Sequence, residues 1–226
     1  IDTSLVQLDA ALPTGEARAT LDATGSARYE FLTPAAWDAL VATPELLGAA
    51  SSCDAFVYGT LGQRDPRARA SITQLAAAAR WRAFDLNLRA PHVSRELCEA
   101  GLRGAALVKI NEEELRLLSQ WYGCEGTPEA LWEALAPRFA PGALCVTLGA
   151  TGSQLNWQGR WYRQAATPVE VVDTVGAGDS FLALLVCELL RGSDAPAALA
   201  RAGRLASFVA SQPGAVPAYD GALFRR

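Results

Sequence analysis

The sequence predicts an α/β fold, a mostly parallel sheet with helices on both faces plus a small β lid. Three observations predict it. Short apolar runs alternate with helical stretches through most of the chain, the pattern of parallel βα units. The residues with chemistry to offer fall at the ends of those runs, where ligands gather in such sheets. The opening stretch breaks the pattern, alternating apolar and polar residues about a glycine-containing turn, and reads as a hairpin appended as a flap.

The elements follow in order. "ARATLD-ATG-SARYEF" (17–31) is the hairpin. "DAFVYGT" (54–60) is a short strand, and "DPRARASITQLAAAARW" a helix with Pro66 near its first turn. "RAFDLNLR" (82–89) is strand-like and "SRELCEAGL" helical. "AALVKI" is a buried strand running into the helix "NEEELRLLSQWY". "TPEALWEALAPRF" is a helix with Thr127 as N-cap and Pro128 at its first position. "GALCVTLGATGSQLNW" gives strand, glycine turn and strand, and "GRWYRQ" pairs with the second of these. "GDSFLALLVCELLRG" and "APAALARAGRLASFVASQ" are the last two helices, closed by Pro213 and Gly214. Trp37, Trp121, Trp132 and Trp161 sit in apolar contexts and are expected in the core.

Composition bounds the function. The chain has 226 residues, 50% of them hydrophobic, and a net charge of -4. That suits one soluble domain with an ample core, or a domain with a small appendage. The charge implies no nucleic-acid or membrane-surface partner. Apolar runs such as "FLALLVC" are too short to cross a bilayer, and the start reads as no signal or transit peptide. The five cysteines, at 53, 98, 124, 145 and 187, show neither zinc spacing nor a disulfide framework, so a cytoplasmic setting is expected. The single histidine, His92, reads as a polar residue near a helix start, which leaves His-based triads and zinc chemistry poor candidates. No methionine is present, so the chain is expected to be a piece of a longer one. Lys109 is the one lysine among twenty basic residues.

"VVDTVGAGDSFLALLV" (171–186) places Asp179 behind Gly176, Ala177 and Gly178 and ahead of an apolar helix. Small residues entering a helix leave backbone N–H groups pointing outward at the positive end of its dipole, a geometry that binds anions. Asp179 either complements the helix start or accepts a proton from a hydroxyl that attacks a phosphate held there. Glycines on both sides of Ala177 favour the second reading, because phosphate must approach the backbone closely.

"DTVGAGDSF" resembles the C-terminal signature of the ribokinase-like carbohydrate kinases, the PfkB family. "DLNLR" (85–89), "VKINEEEL" with Asn111 and Glu114, "VTLGATG" and "ASFVASQPGAVPA" resemble that family's other segments in the same order. The opening 31 residues, with the Thr14-Gly15 pair, resemble its lid. The resemblance implies a lid portion at 1–34 and an ATP-binding α/β kinase domain at 35–226. The family's N-terminal βαβ portion, with the early Asp and Asn that hold the sugar, is not in this sequence. The implied activity is ATP-dependent phosphorylation of a sugar hydroxyl.

Asp179 would be the base, and the N–H groups from Val175 through Gly176, Ala177 and Gly178 the anion hole. Asn111 and Glu114 would organise Mg2+ and phosphates through water, a helix cap with an acidic first turn being the alternative. Lys109 would face the nucleotide phosphates, or be a solvated strand-end lysine. Thr147, Gly149 and Gly152 would approach the nucleotide, or form an ordinary tight turn. Asn87 and Arg89 would contact the sugar, a surface salt bridge being the alternative for the arginine. Asp173, with the loop around Val209, Gln212 and Gly214, would hold a monovalent cation such as K+, or make a structural hydrogen bond. "ARYEFLTPAAWD" and "DLNLR" look fructokinase-like, which makes fructose the expected acceptor and leaves ribose, 2-keto-3-deoxygluconate and nucleosides open. A non-catalytic nucleotide-binding relative is the reading from another class. A homodimer pairing through the lid edge is also implied.

Overall fold

The computed structural model describes residues 2–21 and 27–219, with the side chains at 19–21 and 27–29 left aside. The chain divides into two compact units, Ile1–Arg82 with Asn87–Gly101, and Ala83–Leu86 with Leu102–Arg226.

The first unit contains the hairpin, formed by β1 (Ala17–Leu21) and β2 (Ala27–Phe31) in antiparallel register, Ala17 facing Phe31 and Leu21 facing Ala27. The turn expected at residues 23–25 lies outside the described residues. A 3-10 turn (Ala36–Ala39), α1 (Pro44–Ser52), β3 (Phe56–Gly59), α2 (Pro66–Ala78) and α3 (Arg95–Leu102) complete the elements that begin in it. α2 starts where Asp65 accepts the Arg67 N–H and Pro66 takes the first position. It buries Ala68, Ile72, Leu75 and Ala76, one face at helical spacing.

Asp38 and Arg64 anchor the same unit. The Arg64 guanidinium donates from Nε and Nη2 to the two Asp38 oxygens, each at 2.8 Å, and from Nη2 to the Leu32 carbonyl at 2.6 Å. Asp38 also accepts the Ala35 N–H at 2.9 Å. The two side chains are only 4% and 3% exposed. The guanidinium lies 5.0 Å over the Trp37 ring, and a Cβ on Gly15 would overlap the same ring, so Thr14-Gly15 runs flush against the indole. Burial alone would raise the Asp38 carboxyl. The Arg64 hydrogen bonds and the Ala35 N–H outweigh it and hold the group below the ordinary aspartate value.

The second unit contains β4 (Arg82–Asp85), which enters it at Ala83, then β5 (Leu107–Asn111), α4 (Glu112–Tyr122), α5 (Pro128–Phe139), β6 (Leu144–Thr147), β7 (Ser153–Trp157), β8 (Arg160–Gln164), α6 (Ala177–Leu190) and α7 (Ala195–Ala210). These strands stand in the order β4-β5-β6-β7-β8. β4, β5 and β6 run parallel, and β7 and β8 return antiparallel as a hairpin. Leu107, Val108, Lys109 and Ile110 are all buried, as expected of a central parallel strand. α4 packs on β5 and β6, and α7 on β7 and β8. α6 and α7 pack closely, with Phe181, Leu182, Leu185 and Leu189 on one side and Ala198, Leu199, Ala202 and Leu205 on the other buried. The expected mostly parallel sheet with helices, and a separate small antiparallel sheet, therefore form.

Three local expectations need correction. α1 was not anticipated: only Ala50 of its nine residues is buried, so it carries little apolar periodicity. Its start is the same Thr-Pro-Glu signal that marks α5, with Thr43 accepting the Leu46 N–H. The strand expected over 82–89 stops at Asp85, because Asn87 turns into the left-handed region at φ 44. The four tryptophans expected in the core are all half-buried.

Asp38→Ala leaves Arg64 buried without its counter-charge and is expected to lower unfolding stability by about 3–5 kcal/mol at pH 7. The folded pKa of Asp38 is depressed, so its contribution is present above the ordinary aspartate value of 3.8 and is lost as pH falls through the lowered one. Urea unfolding of the two proteins should therefore show a gap that narrows below about pH 4.

Candidate active site

The second unit brings four strand and helix ends together in sequence register. Asp85 on β4 pairs with Lys109 on β5, Lys109 with Cys145 on β6, and Asn111 with Thr147. α6 then presents its first turn to this group, because a Cβ built on Gly178 would lie 3.2 Å from the Lys109 Nζ.

That first turn is shaped by two glycines. Gly176 is the N-cap of α6 at φ 79, and a Cβ there would overlap the Ala215 carbonyl oxygen. Gly178 leaves room for the Lys109 ammonium. Gly176 is thus required by the chain's own backbone, and a side chain at 178 would crowd the Lys109 ammonium. This is a different reason from the phosphate approach inferred from the sequence, and it holds with or without an anion.

The turn's N–H groups divide into two sets. Val175 donates to Asp173 Oδ1 at 2.9 Å, and Ala177 donates to the Thr174 carbonyl at 3.2 Å. The anion hole expected over Val175 to Gly178 is therefore narrower than the sequence suggested. The N–H groups of Gly176, Gly178 and Asp179 make no hydrogen bond among the described residues. They stand at the positive end of the fourteen-residue α6. Asp179 sits in this same first turn, exposed, and its carboxylate makes no hydrogen bond or ion pair among the described residues.

Lys109 is neither solvated nor at a strand end. It is 5% exposed in mid-strand, and its ammonium donates to both Asp85 oxygens, at 3.1 and 3.0 Å. Asp85 is 6% exposed. Breaking such a buried pair by removing one partner costs about 3–5 kcal/mol. Burial pushes the Cys145 thiol beside the pair up to about 12, so it stays protonated and inert at neutral pH.

Asn111 and Glu114 form a reciprocal capping box at the start of α4. The Asn111 side-chain oxygen accepts the Glu114 N–H at 2.9 Å, and Glu114 Oε2 accepts the Asn111 N–H at 2.8 Å. Glu114 is 3% exposed. Thr147 ends β6 with its hydroxyl on the Ile110 carbonyl at 3.3 Å. Gly149 and Gly152 are both at positive φ in the turn that follows. Gly149 faces open space, whereas a Cβ on Gly152 would overlap the Gln164 carbonyl of β8.

Asp173 ties two loops: Oδ1 accepts the Val175 N–H and Oδ2 the Gly214 N–H at 3.2 Å. Gln212 caps the end of α7 through its N–H to the Val209 carbonyl. Asn87 and Arg89 belong to the first unit, where Arg89 donates to the Leu88 carbonyl at 3.0 Å and accepts the His92 N–H on its own carbonyl. Among the described residues no group of three or more His, Cys, Asp or Glu side chains converges as a metal cage.

Residues 1–220 match the pattern of the pfkB family carbohydrate kinases. The chain belongs to that family. A fructokinase of Klebsiella pneumoniae is 29% identical over 197 residues, 84% of this chain and 63% of that protein. The chain thus spans less than two thirds of that curated relative. A fructoselysine 6-kinase of Escherichia coli (strain K12) is 48% identical over 61 residues, 26% of this chain and 23% of that protein. The crystal structure of a fructokinase from Xylella fastidiosa with bound ATP superposes with a TM-score of 0.76 at 21% identity, over 92% of this chain and 70% of that one. In this pfkB chain the motif "GAGD" is the α6 turn just described, and "NEEE" is the α4 cap.

Gly176→Ala and Gly149→Ala both force alanine into the left-handed region, at about 1–2 kcal/mol. Only the first also meets the Ala215 carbonyl. Urea unfolding should show the larger loss for Gly176→Ala, and equal losses would count against that contact.

Proposed function

We propose that the protein transfers the γ-phosphoryl group of ATP to a hydroxyl of a sugar, with fructose as the acceptor. The observation that carries this reading is the first turn of α6: three N–H groups without partners among the described residues, next to an exposed carboxylate likewise without one. Membership of the pfkB family and the fructokinase similarity support the choice of reaction and acceptor.

In the reaction the sugar hydroxyl oxygen forms the new bond to the γ-phosphorus while the bond to the bridging β,γ-oxygen breaks. Asp179 accepts the hydroxyl proton, and ADP leaves with the bridging oxygen. The N–H groups of Gly176, Gly178 and Asp179 hold the equatorial oxygens as charge develops on them. Little covalent help is needed; orientation of the hydroxyl against the phosphorus supplies roughly 7–11 kcal/mol.

Thr147, Gly149 and Gly152 are assigned to the nucleotide, and Asn87 and Arg89 to the sugar. Mg2+ neutralises phosphate charge when bound. The residues fit such an ion, since Mg2+ keeps several waters and takes one or two carboxylates plus phosphate oxygens. Glu114 is the carboxylate assigned to a water-mediated contact. Each Asp173 oxygen keeps a second lone pair beyond its N–H donor, so K+ at that residue also belongs to the reading. So do a homodimer through the β1–β2 hairpin and a cytoplasmic location, in line with five free cysteines. Among the described residues no helix is long and apolar enough to cross a membrane.

The test is ADP release from MgATP with fructose, ribose, 2-keto-3-deoxygluconate, inosine and adenosine, beside Asp179→Asn. Turnover with fructose that drops on the order of 10²–10⁴-fold in the variant is expected. Turnover with another acceptor replaces fructose. An unchanged rate in Asp179→Asn removes the base.

A further inference from the structure

The chain carries one lysine against nineteen arginines, and that lysine is buried under the α6 turn. Another buried ion pair, Asp38 with Arg64, uses arginine. The choice has a steric reason. An ammonium is a compact point charge, whereas a guanidinium is a planar fork that needs more room and spreads its donors. A Cβ on Gly178 would stand 3.2 Å from the Lys109 Nζ, so the space above the ammonium is narrow and favours the compact group.

The electrostatics is odd for a purely structural pair. A helix start is the positive end of the dipole and disfavours a nearby cation. Here a 95% buried cation is pressed against one, held by hydrogen bonds that among the described residues both go to Asp85. The strand register explains how it is held. Asp85 stands beside Lys109 in the parallel β4–β5 ladder, so their side chains share one face and the carboxylate fixes the ammonium. Lys109 and the α6 N–H groups therefore add their fields at the same place, and Asp85 offsets that field while no anion is bound.

We propose that Lys109 is the charge behind the anion hole, and that Asp85 is the positioning residue that holds it there. The inference rests on the kinase reading and deepens it. As negative charge spreads over the transferring phosphoryl group, the ammonium interacts more strongly with it than with the ground-state phosphates, so the effect belongs to kcat rather than to substrate binding. Asp85 acts only through Lys109.

The experiment is a cycle of Lys109→Met, Asp85→Asn and the double variant. Each is checked for folding by thermal melting and assayed for kcat, for KM of ATP and sugar, and for MgADP binding with and without aluminium fluoride. The double variant removes both charges of the pair together and keeps the test alive if either single variant fails to fold. In the double variant kcat should fall on the order of 10²-fold with both KM values unchanged. Asp85→Asn should add no loss on the Lys109→Met background. A folded double variant with the parent's kcat overturns the proposal, and a further loss from Asp85→Asn overturns the part given to Asp85. No turnover by the parent with any acceptor counts against the kinase reading instead. The inference is then read from binding: aluminium fluoride should tighten MgADP on the parent and not on the double variant, and equal tightening overturns it.

Discussion

Two opposite charges buried between parallel strands constrain much of the second unit. Asp85 and Lys109 must stay together, because either one alone inside the sheet is costly. Keeping them together fixes β4 against β5 in one register, since a slip by one residue would send Lys109 to the other face of the sheet. It also sets what α6 is allowed to place above the ammonium. A side chain there would crowd it, its Cβ 3.2 Å from the Nζ, and Gly178 leaves the space open. The start of α6 is thus set from below by an ion pair and from the side by the Ala215 carbonyl at Gly176. Under the proposed reading, donors held on two sides need little reorganisation as charge develops on a bound phosphoryl group, which is the property that phosphoryl transfer rewards.

The same two glycines show how one motif serves folding and chemistry together. Left-handed Gly176 opens a turn in which its own N–H and those of Gly178 and Asp179 keep no partner among the described residues, while Val175 and Ala177 spend theirs on Asp173 and Thr174. Asp173 bonds Val175 on one side and Gly214 on the other, so the loop entering α6 and the loop leaving α7 are tied by one carboxylate. The packing of α6 on α7 holds the rest of both helices in place. A carboxylate at Asp179, exposed at the rim of this turn, is free of the structural duties that occupy Asp173, Asp85 and Glu114.

Much of this was legible in the sequence, for physical reasons that differ by element. Strands inside a parallel sheet are continuous apolar runs, so β5 and β6 are plain, and Thr-Pro starts mark α5. The N-cap role weighed for Asn111 and the tight turn weighed for Gly152 are both present as local structure, because capping and turn chemistry are short-range. α1 escaped because a nine-residue helix burying one alanine has almost no periodicity to read, although its capping signal was in view. Asn87 escaped because a left-handed residue inside an apolar run leaves no mark beyond being asparagine. The pairing of Lys109 with Asp85 depends on strand register across 24 residues, which composition and spacing do not encode. A lone lysine in a buried strand was the available signal, and it marked the residue without its partner.

The most direct test of the account is to locate the anion itself. Amide NMR of the protein, with MgADP and then aluminium fluoride added, should move the Gly176, Gly178 and Asp179 amide protons on the second addition and leave those of Val175 and Ala177, already bonded to Asp173 and Thr174, nearly in place. Shifts at Val175 and Ala177 instead, or none anywhere in the first turn of α6, would contradict it.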